Sequence, residues 1–335
     1  MIERSTQSES SPTQHSSLPV DDPNRAADVT VVVVTYNSPR HLEALGRALA
    51  SGPLLPRRML AVDNASTDDT VVRAKSAGFE VLETGSNDGF GAACNVGLRA
   101  ASTEFVLFCN PDVRPSPDAL GRLVAALIDN PAAAIAGVAF DKPYLARRFS
   151  RITGDIWIFL PTSIQRSLRR FSIEVPIDPT SEQVVVDYVV GAFMLCRVAA
   201  LRLVDGFDER FFLYCEEEDL CRRLGEIGWQ TLFVPAARAT HETSTSSEGT
   251  DGKAMAPFLL HSLYWYYRKY HTRVYAEFAR CVLSVCVIVD KGYRAVTHKE
   301  QAYGPGTARA AFRSINSLRC ENNRRAGKGA VRGIT

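Results

Sequence analysis

Five stretches of the sequence carry side chains that could do chemistry. The first is Asn110-Pro-Asp112, which directly follows the apolar run 105–109. A carboxylate at the carboxyl end of a buried strand lies where open α/β sheets bind ligands, and it suits a hard cation that carries phosphate oxygens. Asn-Pro-Asp is also an ordinary turn sequence, so Asp112 could instead be a surface residue.

The second is a pair of polar turns, Thr35-Tyr36-Asn37 and Asp63-Asn64, which follow the first two apolar runs of the chain and are taken together. A carboxylate such as Asp63 can accept a hydrogen bond from a pyrimidine N–H, and Tyr36 offers a face for stacking. Helix capping would explain the two asparagines equally well. A nucleotide site and a pair of structural turns both remain open.

The glycine-rich run from Asn87 to Gly97 is predicted to open a helix. Gly89 and Gly91 would let the backbone pass close to a ligand, and the helix N-terminus behind them presents free N–H groups to a phosphate. The spacing fits neither the dinucleotide fingerprint nor the P-loop. This disfavours a dinucleotide or ATP site and leaves a plain helix-starting turn as the alternative.

The most acidic stretch places four carboxylates in the first turn of a predicted helix: Glu216, Glu217, Glu218 and Asp219. The helix dipole would partly offset their repulsion, so a solvated helix start is one interpretation. Aromatic residues over 207–214 favour another, because a carboxylate desolvated by apolar rings becomes more basic and can act as a general base. The fifth stretch, 239–244, places His241 in a predicted loop as a candidate metal ligand.

A series of strands alternating with helices is predicted to position these side chains. The predicted strands cover 29–34, 59–62, 79–82 and 105–108, with helices over 39–49 and 92–101 among them. Such an alternation indicates a parallel, doubly wound sheet whose strand ends share one edge. Further on we predict strands over 184–190 and 192–196 (one bent strand or two) and 230–234, and helices over 199–204 and 216–227.

Composition indicates a soluble globular protein, since 46% of the 335 residues are hydrophobic and 23% are charged. The eight cysteines form no Cys-x-x-Cys pair, which indicates reduced thiols and an intracellular protein. Residues 1–27 have no hydrophobic core, so they predict a disordered lead rather than a signal peptide. The apolar run 281–289 is shorter than the roughly 20 residues that span a bilayer.

Basic residues are concentrated in three parts of the chain. Residues 291–335 hold ten Lys and Arg against two Glu, a local charge of +8, whereas the whole chain carries only +2. The segment 141–178 mixes six arginines with the apolar run 156–160, and the run 259–275 interleaves Tyr and Trp with Arg and Lys. Such segments could contact a membrane surface or pack back onto the protein.

Taken in order, these motifs resemble the family 2 inverting glycosyltransferases of the GT-A fold, most closely their bacterial rhamnosyltransferase-like branch. The resemblance covers about 29–269 and implies an α/β fold with a doubly wound, mainly parallel sheet, flanking helices and a helical C-terminal extension. We therefore expect a catalytic domain over 28–253, divided into a nucleotide-sugar half (28–140), a basic and aromatic excursion (141–183) and an acceptor half (184–253). An amphipathic helical region (254–318) and a basic disordered tail (319–335) would follow.

The resemblance also implies roles for individual residues. On the donor side, Thr35, Tyr36 and Asp63 would hold the nucleotide base, Asn87 and Asn95 would line the sugar-nucleotide pocket, and Asn37, Asn64, Gly91 and Asn110 would lie nearby. Asp112 and His241 would bind Mg²⁺ or Mn²⁺. Glu217 would be the general base, Glu216 and Asp219 would orient the acceptor and the helix, and Gly191, Ala192, Phe193 and Tyr214 would contact the acceptor.

Two positions depart from the family pattern. Asn110 replaces the first carboxylate of the usual Asp-x-Asp, which weakens the expected grip on the metal. Glu217 stands where many relatives have Asp, so the base reaches one methylene further.

The expected activity is metal-dependent, inverting transfer of a sugar from a nucleotide donor, with dTDP-rhamnose as the expected donor. The acceptor would be a lipid-linked or polysaccharide hydroxyl in cell-envelope glycan synthesis, at the cytoplasmic face of the plasma membrane and without a nucleic-acid partner. A galactofuranosyl- or other hexosyltransferase and a non-catalytic sugar- or membrane-binding module remain alternatives. A nucleotidyltransferase is disfavoured, because no glycine-rich basic loop follows the first strand.

Overall fold

The computed structural model describes residues 26–140, 145–158, 172, 174–241 and 256–296. Strands and helices alternate through the first half: β1 (Ala26–Thr35), α1 (Leu42–Ala50), β2 (Leu55–Asp63), α2 (Thr70–Ser76), β3 (Glu80–Glu83), α3 (Phe90–Ala100), β4 (Phe105–Cys109), β5 (Val113–Pro115), α4 (Ala119–Asp129) and β6 (Ala133–Phe140). The alternation predicted up to β4 is present, with shifted ends. β1 starts at Ala26, inside the expected lead.

The second half begins with β7 (Leu145–Arg147), α5 (Ile152–Ile158) and β8 (Glu174–Pro176), where β7 and β8 form a separate two-stranded sheet. The chain then forms β9 (Val184–Val186), β10 (Phe193–Arg197), α6 (Val198–Leu203), α7 (Glu216–Glu226), β11 (Gln230–His241), α8 (Ala256–Tyr270) and α9 (Arg273–Val296). Much of the predicted excursion over 141–183, the segment 297–318 of the expected helical region and the tail 319–335 lie outside the described residues.

The main sheet has the order β3-β2-β1-β4-β10-β6-β11-β5, and β9 also pairs with β11. β1 runs parallel to β2 and β4, β2 to β3, and β6 to β11. β10, β5 and β9 run against their neighbours, and the other strands of this sheet share one direction. The mainly parallel sheet is therefore as predicted.

Helices cover both faces of the sheet. Along β1, Val31 and Val33 face the core that includes α1 and α4, whereas Val32 faces the core that includes α3 and α7. All three valines are fully buried. Burial on both faces explains why β1 is a continuous apolar run rather than an alternating one.

The structure decides between the two alternatives for 184–196, and β6 and β11 differ from the predictions. The segment 184–196 forms two separate strands, with β9 on β11 and β10 between β4 and β6. β6, with the sequence AAIAGVAF, was not predicted, because its alanines favour helix and only its place in the sheet makes it a strand. β11 continues to His241, past a register shift between Val234 and Arg238, so this histidine lies at a strand end and not in a loop.

The aromatic run of the C-terminal region packs back onto the protein. Tyr266 and Tyr267 of α8 are fully buried, in a cluster with Phe211 and Cys215. α9 adds Ala276, Ala279 and Leu283 to the same cluster. Within the part of the chain that the structure describes, no helix combines the length and the apolar character that crossing a membrane requires.

Candidate active site

Asp63, at the end of β2, is held by its neighbours on the same sheet edge. Its Oδ1 accepts hydrogen bonds from Thr35 Oγ1 at 3.0 Å and Ser66 Oγ at 2.6 Å, and its Oδ2 accepts the Ser66 N–H at 2.9 Å. A carboxylate can accept about four hydrogen bonds, so this buried group is oriented and keeps capacity for one more donor. Tyr36, 50% exposed, offers its ring to solvent beside it.

The two asparagines of these turns connect loops rather than cap helices. Asn37 is left-handed, with φ +46°, and its Oδ1 accepts the Thr67 N–H at 2.9 Å. Asn64 donates from Nδ2 to the Gly89 carbonyl at 3.2 Å. Both side chains therefore fix the shape of the strand-end loops around Asp63.

The glycines of the 87–97 run bring α3 close to another part of the protein. A Cβ on Gly89, which has φ +99°, would lie 2.3 Å from the Phe212 carbonyl oxygen, and the Phe90 N–H donates to that oxygen at 2.9 Å. A Cβ on Gly91 would lie 3.2 Å from Phe207 Cβ and 3.7 Å from Glu216 Cβ. These glycines thus let α3 lie close to the segment that leads into α7, whereas the sequence predicted a close approach of the backbone to a ligand.

Asn95 reinforces the same junction. Its Nδ2 donates to the Phe207 carbonyl and to Glu209 Oε1, both at 2.9 Å, and its Oδ1 accepts the Phe207 N–H at 2.8 Å. Because both amide hydrogens are engaged, Asn95 has none left for a sugar. In the structure Asn95 tethers α3 to the 207–209 loop, and its place in the donor pocket remains a prediction.

Asp112 and His241 converge, as the sequence predicted. β5 pairs antiparallel with β11 and places His241 opposite Val113, so that His241 Nε2 lies 3.2 Å from Asp112 Oδ1. Asp112 is 1% exposed, and its Oδ2 is buried without a hydrogen-bond partner. An unpaired buried carboxylate oxygen is costly, which suits a cation site.

The residues present fit a divalent cation that brings part of its own ligand set. Among the described residues no group of three or more His, Cys, Asp or Glu side chains could enclose a metal. Asp112 and His241 supply two donors, which leaves positions for diphosphate oxygens. The Asn110 N–H donates to the Ala192 carbonyl at 2.9 Å and so fixes the turn that carries Asp112.

Gly191 and Ala192 join this turn to the acidic helix. The Gly191 N–H donates to the Glu217 carboxylate, and a Cβ on Gly191 would lie 3.4 Å from Glu217 Cβ. Two adjacent residues thus link the two groups: Gly191 bonds to Glu217, and Ala192 bonds to Asn110. Phe193, expected to contact the acceptor, is instead fully buried in β10 opposite Cys109.

The four carboxylates of α7 have different surroundings, and Asp219 is the most fully paired. Its Oδ1 accepts Lys269 Nζ at 2.5 Å and Tyr270 Oη at 2.7 Å, and its Oδ2 accepts Arg223 Nε at 2.7 Å. Asp219 is completely buried. It therefore orients the helix, as expected, but its carboxylate is occupied by α8 and Arg223 rather than turned towards an acceptor.

Glu218 is bound by the segment before α5. Its Oε1 accepts the Ser150 N–H at 2.5 Å, its Oε2 accepts Ser150 Oγ at 2.9 Å, and Tyr266 also bonds to it. Burial nevertheless raises the pKa of Glu218 to about 7. Asp155, which accepts a hydrogen bond from Tyr267 Oη, also has its pKa raised to about 7 by burial.

Glu216 and Glu217 each keep one buried oxygen, Oε2, without a partner. Burial raises the pKa of Glu216 well above its ordinary value, and the neighbouring Glu217 charge raises it further. Burial also raises the pKa of Glu217, but the Gly191 N–H and the nearby Arg147 guanidinium oppose the rise. Of these two adjacent carboxylates, Glu217 is therefore the one with a cation and an N–H donor beside it.

The backbone before α7 is strained. Tyr214 and Cys215 are consecutive left-handed residues, with φ +72° and +65°. Such conformations are costly for residues other than glycine and persist when surrounding contacts impose them. Here the Phe212 carbonyl is held by α3, and Ser262 Oγ donates to the Leu213 carbonyl at 2.7 Å.

The sequence did not reveal Arg147, Ser150, Lys269 and Tyr270 as neighbours of these carboxylates. Arg147 and Ser150 lie in the basic excursion, and Lys269 and Tyr270 lie in the aromatic run, both of which the sequence left open between lipid and protein contacts. The one available signal was the need for cations and hydroxyl donors around four adjacent acids.

Known proteins resemble this chain in sequence and in fold. The family model described as Glycosyl transferase family 2 matches residues 30–200. The chain is 32% identical over 244 residues to N-acetylglucosaminyl-diphospho-decaprenol L-rhamnosyltransferase of Mycobacterium tuberculosis H37Rv, covering 65% of this chain and 76% of that relative. It is 28% identical over 179 residues to rhamnosyltransferase WbbL of Escherichia coli K12, covering 49% and 64% respectively.

A solved structure supports the fold. Mannosyltransferase PcManGT from Pyrobaculum calidifontis, in complex with GDP-Man and Mn²⁺, superposes with a TM-score of 0.54 over 91% of each chain at 15% identity. At that identity the likeness concerns the fold alone, and it confirms the GT-A architecture.

Replacing Asp219 with Asn should destabilise the protein more than it changes the chemistry. Asn lacks the charge that balances Lys269 and Arg223, which are only 21% and 17% exposed, so we expect the free energy of unfolding to fall by about 3 kcal/mol. Denaturant unfolding measures this loss. Asp118→Asn, which breaks the exposed pair with Arg122, is the control and should cost less than about 1 kcal/mol. Equal losses in both variants would show that Asp219 does not hold α7.

Stability should fall as pH rises from about 5 to about 7. The pKa of Asp155 is near 7 in the folded protein and near 4 in the unfolded chain, so the folded state holds the extra proton in this window. The resulting stabilisation is complete below pH 4 and is lost as pH rises through 7. Asp155→Asn should reduce this slope by up to about 1.4 kcal/mol per pH unit, measured by denaturant unfolding at several pH values.

The control for this slope is Asp178→Asn. The pKa of Asp178 is lowered by the Thr180 N–H and hydroxyl, so its titration lies below about pH 4 and its loss should leave the slope between pH 5 and 7 unchanged. An Asp155→Asn slope equal to that of the wild type would contradict the assignment of a neutral, buried Asp155.

Proposed function

The chain belongs to glycosyl transferase family 2, and from that premise we propose that it transfers rhamnose from dTDP-rhamnose, with inversion, to a lipid-linked or polysaccharide hydroxyl. Family membership makes it a glycosyltransferase. The choice of donor and acceptor rests on the relative named for L-rhamnosyl transfer to N-acetylglucosaminyl-diphospho-decaprenol, of which the chain covers 76%. We place the reaction in cell-envelope glycan synthesis, at the cytoplasmic face of the plasma membrane.

One observation carries the proposal. Three buried carboxylate oxygens lack partners among the described residues: Asp112 Oδ2, Glu216 Oε2 and Glu217 Oε2. Asp112 belongs to the candidate cation site, and Glu216 and Glu217 belong to the candidate base. The Gly191-Ala192 segment joins the two groups. Transfer from a sugar diphosphate requires both at once: a proton acceptor for the nucleophile and charge neutralisation for the leaving group.

On the donor side, the strand-end residues bind and orient. Asp63, with one acceptor position left, would receive a base N–H, and Tyr36 would stack on the base. Asp112 and His241 would hold Mg²⁺ or Mn²⁺ together with the donor diphosphate. When bound, the cation neutralises charge that develops on the departing diphosphate. PcManGT, which shares the fold, was solved with a nucleotide sugar and Mn²⁺.

On the acceptor side, Glu217 receives the proton. The acceptor oxygen attacks the anomeric carbon, its proton passes to the Glu217 carboxylate, and the bond from that carbon to the diphosphate oxygen breaks. Burial raises the pKa of Glu217, which makes it a better base, while the Arg147 guanidinium and the Gly191 N–H lower that pKa and so favour the ionised form. Glu216, whose pKa is raised by burial and by the Glu217 charge, would donate a hydrogen bond beside it when protonated. A single displacement inverts the anomeric centre.

Purified full-length protein should release dTDP from dTDP-rhamnose in the presence of Mg²⁺ or Mn²⁺ and a membrane-extract acceptor. The panel should include UDP-galactofuranose, UDP-glucose and GDP-mannose, and EDTA should abolish release. Nucleoside diphosphate formation is the readout. Turnover only with a different donor would replace rhamnose as the proposed sugar. The absence of turnover with every donor would overturn the proposed transfer.

Variants should separate the roles of neighbouring residues. Glu217→Gln should lower kcat by a factor of about 10² to 10⁴, because the amide cannot accept the proton. The free energy of unfolding should be unchanged. Asp112→Asn should abolish transfer, whereas Asn110→Ala should only weaken it, since Asn110 contributes its backbone N–H to the turn.

Two results would contradict these assignments. Wild-type turnover in Glu217→Gln would favour a different base or a non-catalytic binding role for this helix. A larger loss of transfer activity from Asn110→Ala than from Asp112→Asn would mean that Asn110, and not Asp112, is the metal ligand of the pair.

A further inference from the structure

Helix α9 has two apolar faces, and the structure covers one of them. Ala276, Ala279 and Leu283 are 0%, 0% and 2% exposed and pack into the cluster formed with α8. At about 100° per residue, these three positions lie within a sector of roughly 60° on one side of the helix. A helix that packs on one neighbour needs only this one apolar face.

The opposite side of α9 is also apolar and is open to solvent. Val274 is 80% exposed, Phe278 58%, Val285 57%, Ile288 58% and Val289 62%, and Cys281 is exposed among them. These six positions fall within about 100° of one another around the helix and extend over roughly 22 Å of its length. We call this set of residues the outer stripe of α9.

Such a stripe is unlike the scattered apolar residues of an ordinary surface. Single exposed apolar side chains are normal, but a continuous set on one face marks a contact surface. The other large exposed hydrophobic side chains lie singly on different elements, for example Val72 on α2 and Leu203 on α6. The outer stripe is therefore a candidate interface with something outside the described residues.

We propose that the outer stripe lies on an anionic membrane surface, with α9 parallel to the bilayer and its apolar side chains between the lipid headgroups. The exposure of the stripe and the charge that follows it support this contact. Its use, which is to bring the site to a lipid-linked acceptor, rests on the proposed function. An amphipathic helix with an exposed apolar face, followed by a strongly basic segment, is the kind of element that binds in this way.

Charge favours an anionic lipid surface over a second copy of the chain. The sequence from Lys291 onward, which begins in the last turns of α9, carries ten Lys and Arg against two Glu. This +8 leaves a net charge of −6 on the first 290 residues, since the total is +2. Two copies joined along their outer stripes would bring two such basic segments together, whereas anionic headgroups attract them.

Flotation of the full-length protein with vesicles tests the proposal. Wild type should float with phosphatidylcholine–phosphatidylglycerol vesicles, less with phosphatidylcholine alone, and less at high salt. The double variant Val285→Asp/Ile288→Asp should lower the partition coefficient at least about tenfold, because two charges replace apolar side chains in the stripe. The matched control is Val72→Asp/Leu203→Asp, which adds the same charges at equally exposed sites elsewhere and should float nearly as wild type.

Two further measurements make the outcome decisive. Circular dichroism and dTDP release from dTDP-rhamnose with a detergent-solubilised membrane extract as acceptor should be unchanged in the stripe variant, which separates failure of this inference from failure of the proposed function. Wild type that stays with the unbound fraction, or a stripe variant that floats as well as wild type, would overturn the inference. So would a wild-type dimer, seen by light scattering, that the stripe variant converts to monomer without a change in flotation.

Discussion

The crowding of four consecutive carboxylates at the start of α7, three of them buried and Glu217 half-buried, is the constraint on which the rest of the site depends. Charges this close repel one another, and removing them from water adds a desolvation cost to each. The protein meets the constraint differently at each position. Asp219 is balanced by Lys269 and Arg223, Glu218 is hydrogen-bonded and has its pKa raised to about 7, and the pKa of Glu216 is raised well above its ordinary value. Glu217 has the Arg147 guanidinium and the Gly191 N–H beside it, and both oppose the rise in its pKa that burial causes.

These partners come from two parts of the chain that are distant from α7 in sequence. Ser150 and Arg147 belong to the segment between β6 and β8, and Lys269 and Tyr270 belong to α8. Arg222 of α7 stacks 3.9 Å from the centre of the Tyr270 ring, which adds a cation–π contact to the same junction. The C-terminal helices thus help to hold the acidic first turn of α7. The need for hydrogen-bond donors around that turn explains why α8 contains tyrosines whose hydroxyl groups have partners.

Sequence reasoning predicted the parts that depend on local pattern and strand order. The alternation up to β4 and the shared edge of Thr35, Asp63 and Asp112 followed from the apolar runs, and the convergence of Asp112 with His241 followed from the family resemblance. It failed where tertiary context decides. The alanine-rich β6 has no strand signature of its own, and the packing of Phe193 into the core depends on β10 lying between β4 and β6.

The same limit applies to the motif residues, because sequence spacing does not show whether a polar side chain faces a ligand or its own fold. Gly89, Gly91 and Asn95 form a motif whose glycines and amide suit phosphate or sugar binding. In the structure their contacts are with Phe212, Phe207 and Glu209, which fix the entry into α7. The motif therefore supports the entry into α7, and a substitution in it would disturb the acidic first turn of that helix as well as the strand-end loops.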